Sequence, residues 1–163
     1  MGGRGTPATL ALDRAGIAFV LHSYEHDPRT GSYGGEAAAE LGADPARVFK
    51  TLVVTVDGRL TVGVVPVSAS LDYKALAAAL GGKRAALADP AVAVRSTGYV
   101  LGGISPLGQR TQLITYLDAS AAAHQTIFVS GGRRGLEIEL SPADLLQLTA
   151  GRLAAISAVR SGT

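Results

Sequence analysis

The distribution of apolar and polar positions along the chain predicts a set of short strands interspersed with helices. Leu136 to Leu140 (L-E-I-E-L) alternates strictly, as a half-buried strand does. Val48 to Asp57 (V-F-K-T-L-V-V-T-V-D) and Leu60 to Val67 are apolar runs broken by single polar residues, and Asp57-Gly58 between them is a hairpin turn signal. Ile17 to Tyr24, Leu113 to Leu117 and Thr126 to Val129 read as further strands. Helices announce themselves by their ends. Thr6-Pro7 supplies a capping hydroxyl and a proline at the first helical position, and Gly16 closes that helix. Glu36 to Leu41 is alanine-rich and stopped by Gly42. Ser70 is the expected cap of a helix from Leu71 to Leu80. Ser141-Pro142-Ala143-Asp144 opens the last helix, which ends before Gly151. Asp44-Pro45 and Asp89-Pro90 read as brief helical turns, and the tail from Ser161 as frayed.

Helices and strands do not follow a strict βαβ alternation, and no repeat, linker or low-complexity segment divides the chain. The expectation is one α+β domain over residues 1–163, with a mixed, strongly curved, barrel-like β-sheet surrounded by helices. With 163 residues, 47% of them apolar, the chain is long enough for a real core.

Composition narrows the chemistry. There is no cysteine, which excludes disulfides, thiolate metal sites and a protein thiol nucleophile. No apolar stretch approaches the ~20 residues that cross a bilayer, and the first twenty residues do not read as a signal peptide, so the cytoplasm is the expected compartment. A net charge of +2 permits a nucleic-acid partner without implying one. The nearest approaches to basic clusters are Lys83-Arg84 and Arg133-Arg134, pairs that usually mark solvated surface.

The strongest local signal is Gly98 to Arg110 (G-Y-V-L-G-G-I-S-P-L-G-Q-R). Gly102 and Gly103 open backbone angles closed to other residues, and Pro106 lacks an N–H, so the segment suits a shaped loop whose backbone can face a ligand. Ser130 to Gly135 (S-G-G-R-R-G) is a second glycine loop, placed directly after an apolar strand. Neither carries the Gly-Lys-Ser/Thr of a phosphate-binding P-loop, and no nucleophile elbow is present. Lys50 shares a strand face with Val48, Leu52, Val54 and Val56. Either that face opens into a cleft holding an anion, or the lysine sits at the strand's start and reaches to water. Tyr24 is either an aromatic wall for a base or sugar, or an ordinary half-buried strand tyrosine. His22 and His26 lack a third ligand of matching spacing, so no metal is expected. Glu137 and Glu139 read as two solvated acids on a half-buried strand.

Five segments taken in order resemble one family: Y-E-H-D-P (Tyr24 to Pro28), V-F-K-T-L (Val48 to Leu52), D-P-x-V-A-x-R-S-T-G-Y (Asp89 to Tyr99), G-G-I-S-P-L-G-Q (Gly102 to Gln109) and S-G-G-x-R-G-L-x-I-E-L (Ser130 to Leu140). The chain resembles the YbaK/EbsC aminoacyl-tRNA deacylases, free-standing relatives of the editing domain of bacterial prolyl-tRNA synthetase, and within them the Cys-tRNA(Pro) deacylase branch. The resemblance implies hydrolysis of the ester between an amino acid and the terminal adenosine of tRNA. The partners it implies are the tRNA acceptor end and prolyl-tRNA synthetase, and it implies no cofactor. Lys50 matches the family's functional lysine, whose expected role is to hold the terminal phosphate or ribose. Gly102, Gly103, Ile104, Ser105, Pro106, Ser130 and Gly131 are expected around the amino-acid and adenosine pocket, with Tyr24, Tyr33 and Thr51 carried over from flanking positions. In the Cys-specific branch the substrate's own thiol is proposed to attack its carbonyl and leave as a cyclic thioester. Two other readings stand beside this one: a deacylase for another ester, such as Ala-tRNA(Pro) or a seryl or threonyl ester, and a non-catalytic module that binds an RNA end or nucleotide.

Overall fold

The computed structural model describes residues 5–159; the expected frayed tail from Ser161 lies outside them. Its spine is the hairpin β2 (Phe49–Val56) and β3 (Arg59–Pro66), turned at Asp57 and Gly58, which both take positive φ. The hairpin is long and apolar because β2 is covered on both faces. Phe49 and Val53 enter one core with Ile127, Ile138 and Leu140, while Val54 and Val56 enter another with Leu71 and Leu76. Around it forms a five-stranded sheet of order β5-β2-β3-β6-β9, with β5 (Ala85–Leu87), β6 (Ile114–Asp118) and β9 (Arg152–Ala154). The β3–β6 and β6–β9 pairs are parallel and the others antiparallel, so the sheet is mixed as expected.

A second sheet, antiparallel, has the order β1-β8-β7, from β1 (Val20–Ser23), β8 (Leu136–Leu140) and β7 (Ile127–Ser130). The two sheets meet at one seam. Val48 bridges Phe128, and the Phe128 N–H donates to the Arg47 carbonyl at 2.9 Å. The strands bend around the core without closing into a barrel. Strands β4 (Ala69–Leu71) and β10 (Ser157–Val159) form a separate two-stranded pair.

Helix α1 (Pro7–Ala15) begins where expected: the Thr6 hydroxyl accepts from the Thr9 N–H at 3.2 Å. Helix α5 (Pro142–Thr149) is capped by Ser141 in the same way, at 3.2 Å from Asp144 N–H. Three expectations are corrected. Helix α2 (Tyr33–Leu41) starts three residues before Glu36, because the Ser32 hydroxyl caps it at Gly35 N–H. Helix α3 (Tyr73–Ala79) is capped by Asp72; Ser70, the expected cap, is drawn into β4 opposite Ala158. Asp89-Pro90 opens a full helix, α4 (Pro90–Thr97), whereas Asp44-Pro45 makes only a hydrogen-bonded turn. Among the described residues no helix is long and apolar enough to cross a membrane.

Candidate active site

The start of β2, the long glycine loop, the first turn of α2 and the β7–β8 hairpin enclose a cavity of about 430 Å³. That volume lies within the ordinary range for small-molecule sites. Lys50 lines it, half-buried, opposite Val65 in the hairpin register. Lys50 borders this cleft and also stands at the second position of β2, so its placement meets a part of each reading open for it. Tyr33, Thr51, Gly102, Ile104 and Ser130 line the same cavity. Thr51 Oγ1 is buried there without a hydrogen-bond partner among the described residues. Lys50 is the one basic side chain among the described lining residues, and Glu137 the one acidic.

The two glycine loops build one wall together. A Cβ on Gly103 would stand 2.8 Å from the Arg133 Cα, and one on Gly102, at φ 80°, 2.7 Å from a Tyr33 ring carbon. Glycine at both positions lets the loops touch backbone to backbone and lets the Tyr33 ring lie over them. Arg134 fastens the contact: its Nε donates to the Leu101 carbonyl at 2.8 Å, and its guanidinium lies 5.1 Å from the Tyr33 ring centre. Gly103 thus lies behind the lining, and so do Ser105, Pro106 and Gly131. Ser105 is fully buried; its hydroxyl accepts from Leu107 N–H at 3.2 Å and its carbonyl from Gln109 Nε2 at 3.0 Å, which shapes the loop. Gly131 accepts the Thr6 hydroxyl at 2.6 Å, tying the start of α1 to the second loop.

Reading Glu137 and Glu139 as two solvated acids was wrong for both. Glu137 pairs with His22 on β1 and Ser130 on β7, is only 7% exposed, and faces the cavity. Burial raises its pKa from 4.5 to about 8, so at neutral pH it is mostly the uncharged acid. Tyr24 lies outside the lining, packed with Val48, Val67 and Phe128. Burial first, then the Glu137 charge, push its phenol up to about 12. Glu139 has the opposite fate. It accepts from Thr126 Oγ1 at 2.5 Å and from Arg47 at 3.3 Å, and is hydrogen-bonded to His22 at 2.9 Å; these contacts, the Thr126 bond foremost, hold it below the usual carboxylate range. His26 pairs with a different carboxylate, Glu36, at 2.8 Å, so the two histidines face separate acids.

The apolar half of the cavity (Leu52, Leu87, Ala88, Pro90 and Ala93) was not anticipated. Small aliphatic residues carry no chemical signal in a sequence.

Residues 28–148 match the family model of the aminoacyl-tRNA editing domain. The chain belongs to that family. Its reaction class is therefore the editing of mischarged aminoacyl-tRNA. It is 42% identical over 125 residues to the Enterococcus faecalis protein named "Putative Cys-tRNA(Pro)/Cys-tRNA(Cys) deacylase EbsC", covering 75% of this chain and 76% of that one. It is 30% identical over 115 residues to the uncharacterised YwhH of Bacillus subtilis, covering 70% and 73%. A crystal structure described as a "putative trans-editing enzyme for prolyl tRNA synthetase" superposes with a TM-score of 0.81 at 26% identity, covering 93% of this chain and 95% of the other. The mixed α+β architecture is thus that of the editing enzymes.

Proposed function

We propose that this editing domain acts in trans on Cys-tRNA(Pro), cleaving the ester between cysteine and the terminal adenosine. The likeness to EbsC over three quarters of both chains carries the choice of substrate. The cavity supports the chemistry: it is largely apolar and presents one ammonium and one carboxyl. Lys50 holds the terminal phosphate or ribose and so fixes where the ester lies. The Gly102 loop and Ser130 border the adenosine and the amino-acid side chain. Burial keeps Glu137 mostly uncharged at neutral pH; an α-ammonium group placed beside it favours the carboxylate and pairs with it.

The chain has no thiol to offer. The substrate's sulfur attacks its own carbonyl carbon, the bond to the ribose oxygen breaks, and a cyclic thioester leaves. The thiol proton passes through solvent to the ribose oxygen. The protein's part is to hold the ester in the geometry where that attack occurs. It does so as one domain, in the cytoplasm, beside prolyl-tRNA synthetase. That enzyme makes the error because a hydrophobic pocket rejects a near-isostere poorly.

The test is deacylation of Cys-tRNA(Pro), Ala-tRNA(Pro) and Pro-tRNA(Pro) by the wild type and by Lys50→Ala. Selective loss of the cysteinyl ester is expected, slowed about 10²-fold in the variant, the scale of a lost positioning contact. Loss of the alanyl ester instead would move the substrate. No loss of any ester would leave a binding module.

A further inference from the structure

The pair Lys83-Arg84 has no part in the cavity described above. The structure gives it a setting of its own. Asp57, at the β2–β3 turn, accepts the Lys83 N–H at 2.9 Å through one carboxylate oxygen and the Arg84 N–H at 2.9 Å through the other, and its own N–H donates to the Arg84 carbonyl at 2.9 Å. Those backbone bonds, the Arg84 one foremost, keep Asp57 ionised below its usual range. They also fix the two residues against the turn with their side chains exposed. Lys74 joins them from α3, and the three cations line an open groove of about 640 Å³ in which Asp57 is the one lining carboxylate. Among the described residues, none of the three cationic side chains closes an ion pair.

The groove and the cavity share an edge. Ala85 and Ala86 border the groove; Leu87 and Ala88, the next two residues, border the cavity. Strand β5 is the outermost strand of its sheet on this side, and Leu87 is 57% exposed. Three residues of extended chain span about 10 Å, a short step for a nucleic-acid backbone. The other basic pair is less available. Arg134 is committed to the Leu101 carbonyl and the Tyr33 ring, and Arg133 has an interaction partner.

We infer that this groove, formed by Lys74, Lys83 and Arg84, binds phosphates of the single-stranded RNA 3′ end that leads out of the cavity along β5. A positively charged channel that tracks a backbone without reading bases is the usual way of holding single strands. The inference rests on the editing site for its direction, since the terminal nucleotide must occupy the cavity.

The test uses a non-aminoacylated RNA hairpin with a four-nucleotide 3′ overhang ending in CCA, followed by fluorescence anisotropy from 50 to 200 mM salt. The variant is Lys83→Gln/Arg84→Gln. The control, Arg14→Gln/Arg152→Gln, removes the same charge at exposed positions on α1 and on β9, the opposite edge of the sheet. The groove variant is expected to bind about tenfold more weakly, with a salt slope shallower by about 0.7 for each phosphate released. The control should stay within about twofold of wild type. Thermal melts of both variants should match wild type, because the side chains removed are exposed. On Cys-tRNA(Pro) the groove variant should raise KM and spare kcat. Wild-type affinity in the groove variant, equal loss in the control, or no RNA binding by the wild type overturns the inference. If the wild type cleaves no ester while RNA binding still depends on Lys83 and Arg84, the deacylase reading fails and this one stands. If Cys-tRNA(Pro) is cleaved with unchanged KM in the groove variant, the reverse holds.

Discussion

Glu137 and Glu139 lie two residues apart on one face of β8, yet the two ends of that face behave as different solvents. At the outer end, Glu139 is surrounded by donors: Thr126, His22 and Arg47, whose guanidinium also lies 5.0 Å from the Phe128 ring centre. At the inner end, Glu137 is paired between His22 and Ser130 and buried at the cavity wall, and burial alone governs its proton. The difference teaches that a carboxyl's charge is set by what covers its strand, not by the strand. One acid is held as an anion by its donors; the other is kept mostly uncharged at neutral pH by burial beside the cavity.

The opposite shifts give opposite pH slopes, which is the largest effect expected. Because the folded Glu137 holds its proton up to about pH 8 while the unfolded one releases it near 4.5, its contribution is complete below pH 4.5 and lost as pH rises toward 8. The upper bound is about 5 kcal/mol. Glu139, with its pKa lowered, contributes above its unfolded value and loses that contribution as pH falls through the folded one. Denaturant titrations of wild type and Glu137→Gln at pH 5, 7 and 8.5 should therefore diverge, the variant gaining relative stability as pH rises. Parallel profiles would break the contrast.

The outer network comes next. Arg47→Ala removes bonds to the Thr126 carbonyl at 3.1 Å, the Thr126 hydroxyl at 2.6 Å and Glu139 at 3.3 Å. It should cost about 2 kcal/mol by chemical denaturation, with kcat retained. A large loss of kcat would mean that the two ends of β8 are not independent. Glu137→Gln should do the converse in the assay, raising KM for Cys-tRNA(Pro) about tenfold, the scale of a lost charge-assisted hydrogen bond of about 1.4 kcal/mol. Unchanged KM would remove Glu137 from substrate binding. The smallest effect belongs to His22→Ala. Its partly exposed hydrogen bond to Glu139 at 2.9 Å is worth about 0.5 kcal/mol, read by chemical denaturation.

Much of the scaffold was legible because its signals are local. Thr6 and Ser141 cap helices, Asp57-Gly58 turns the hairpin, and the two glycine loops stand where chain must approach chain. What escaped depends on distant partners. The alternation L-E-I-E-L tells which side chains share a face and is silent about what covers it; the cover over Glu137 comes from β1 and β7. Ser70 has the chemistry of a helix cap, but β10, almost ninety residues on, pairs with it first and leaves the cap to Asp72. Strands β5, β9 and β10 have three residues each, too few for any periodicity. Lys50 stood out as an ammonium on an apolar strand, whereas Leu87 and Ala93, which line the same cavity, looked like any other core.

The Val48–Phe128 bridge has a mechanical meaning. Lys50 and Thr51 ride on one sheet, Ser130 and Glu137 on the other, and the bridge is the rivet of a caliper whose jaws are those two sheets. The spacing it sets is the width of the cavity that lies between them. A change of spacing at that bridge would therefore alter the width of the cavity while its lining residues stayed the same.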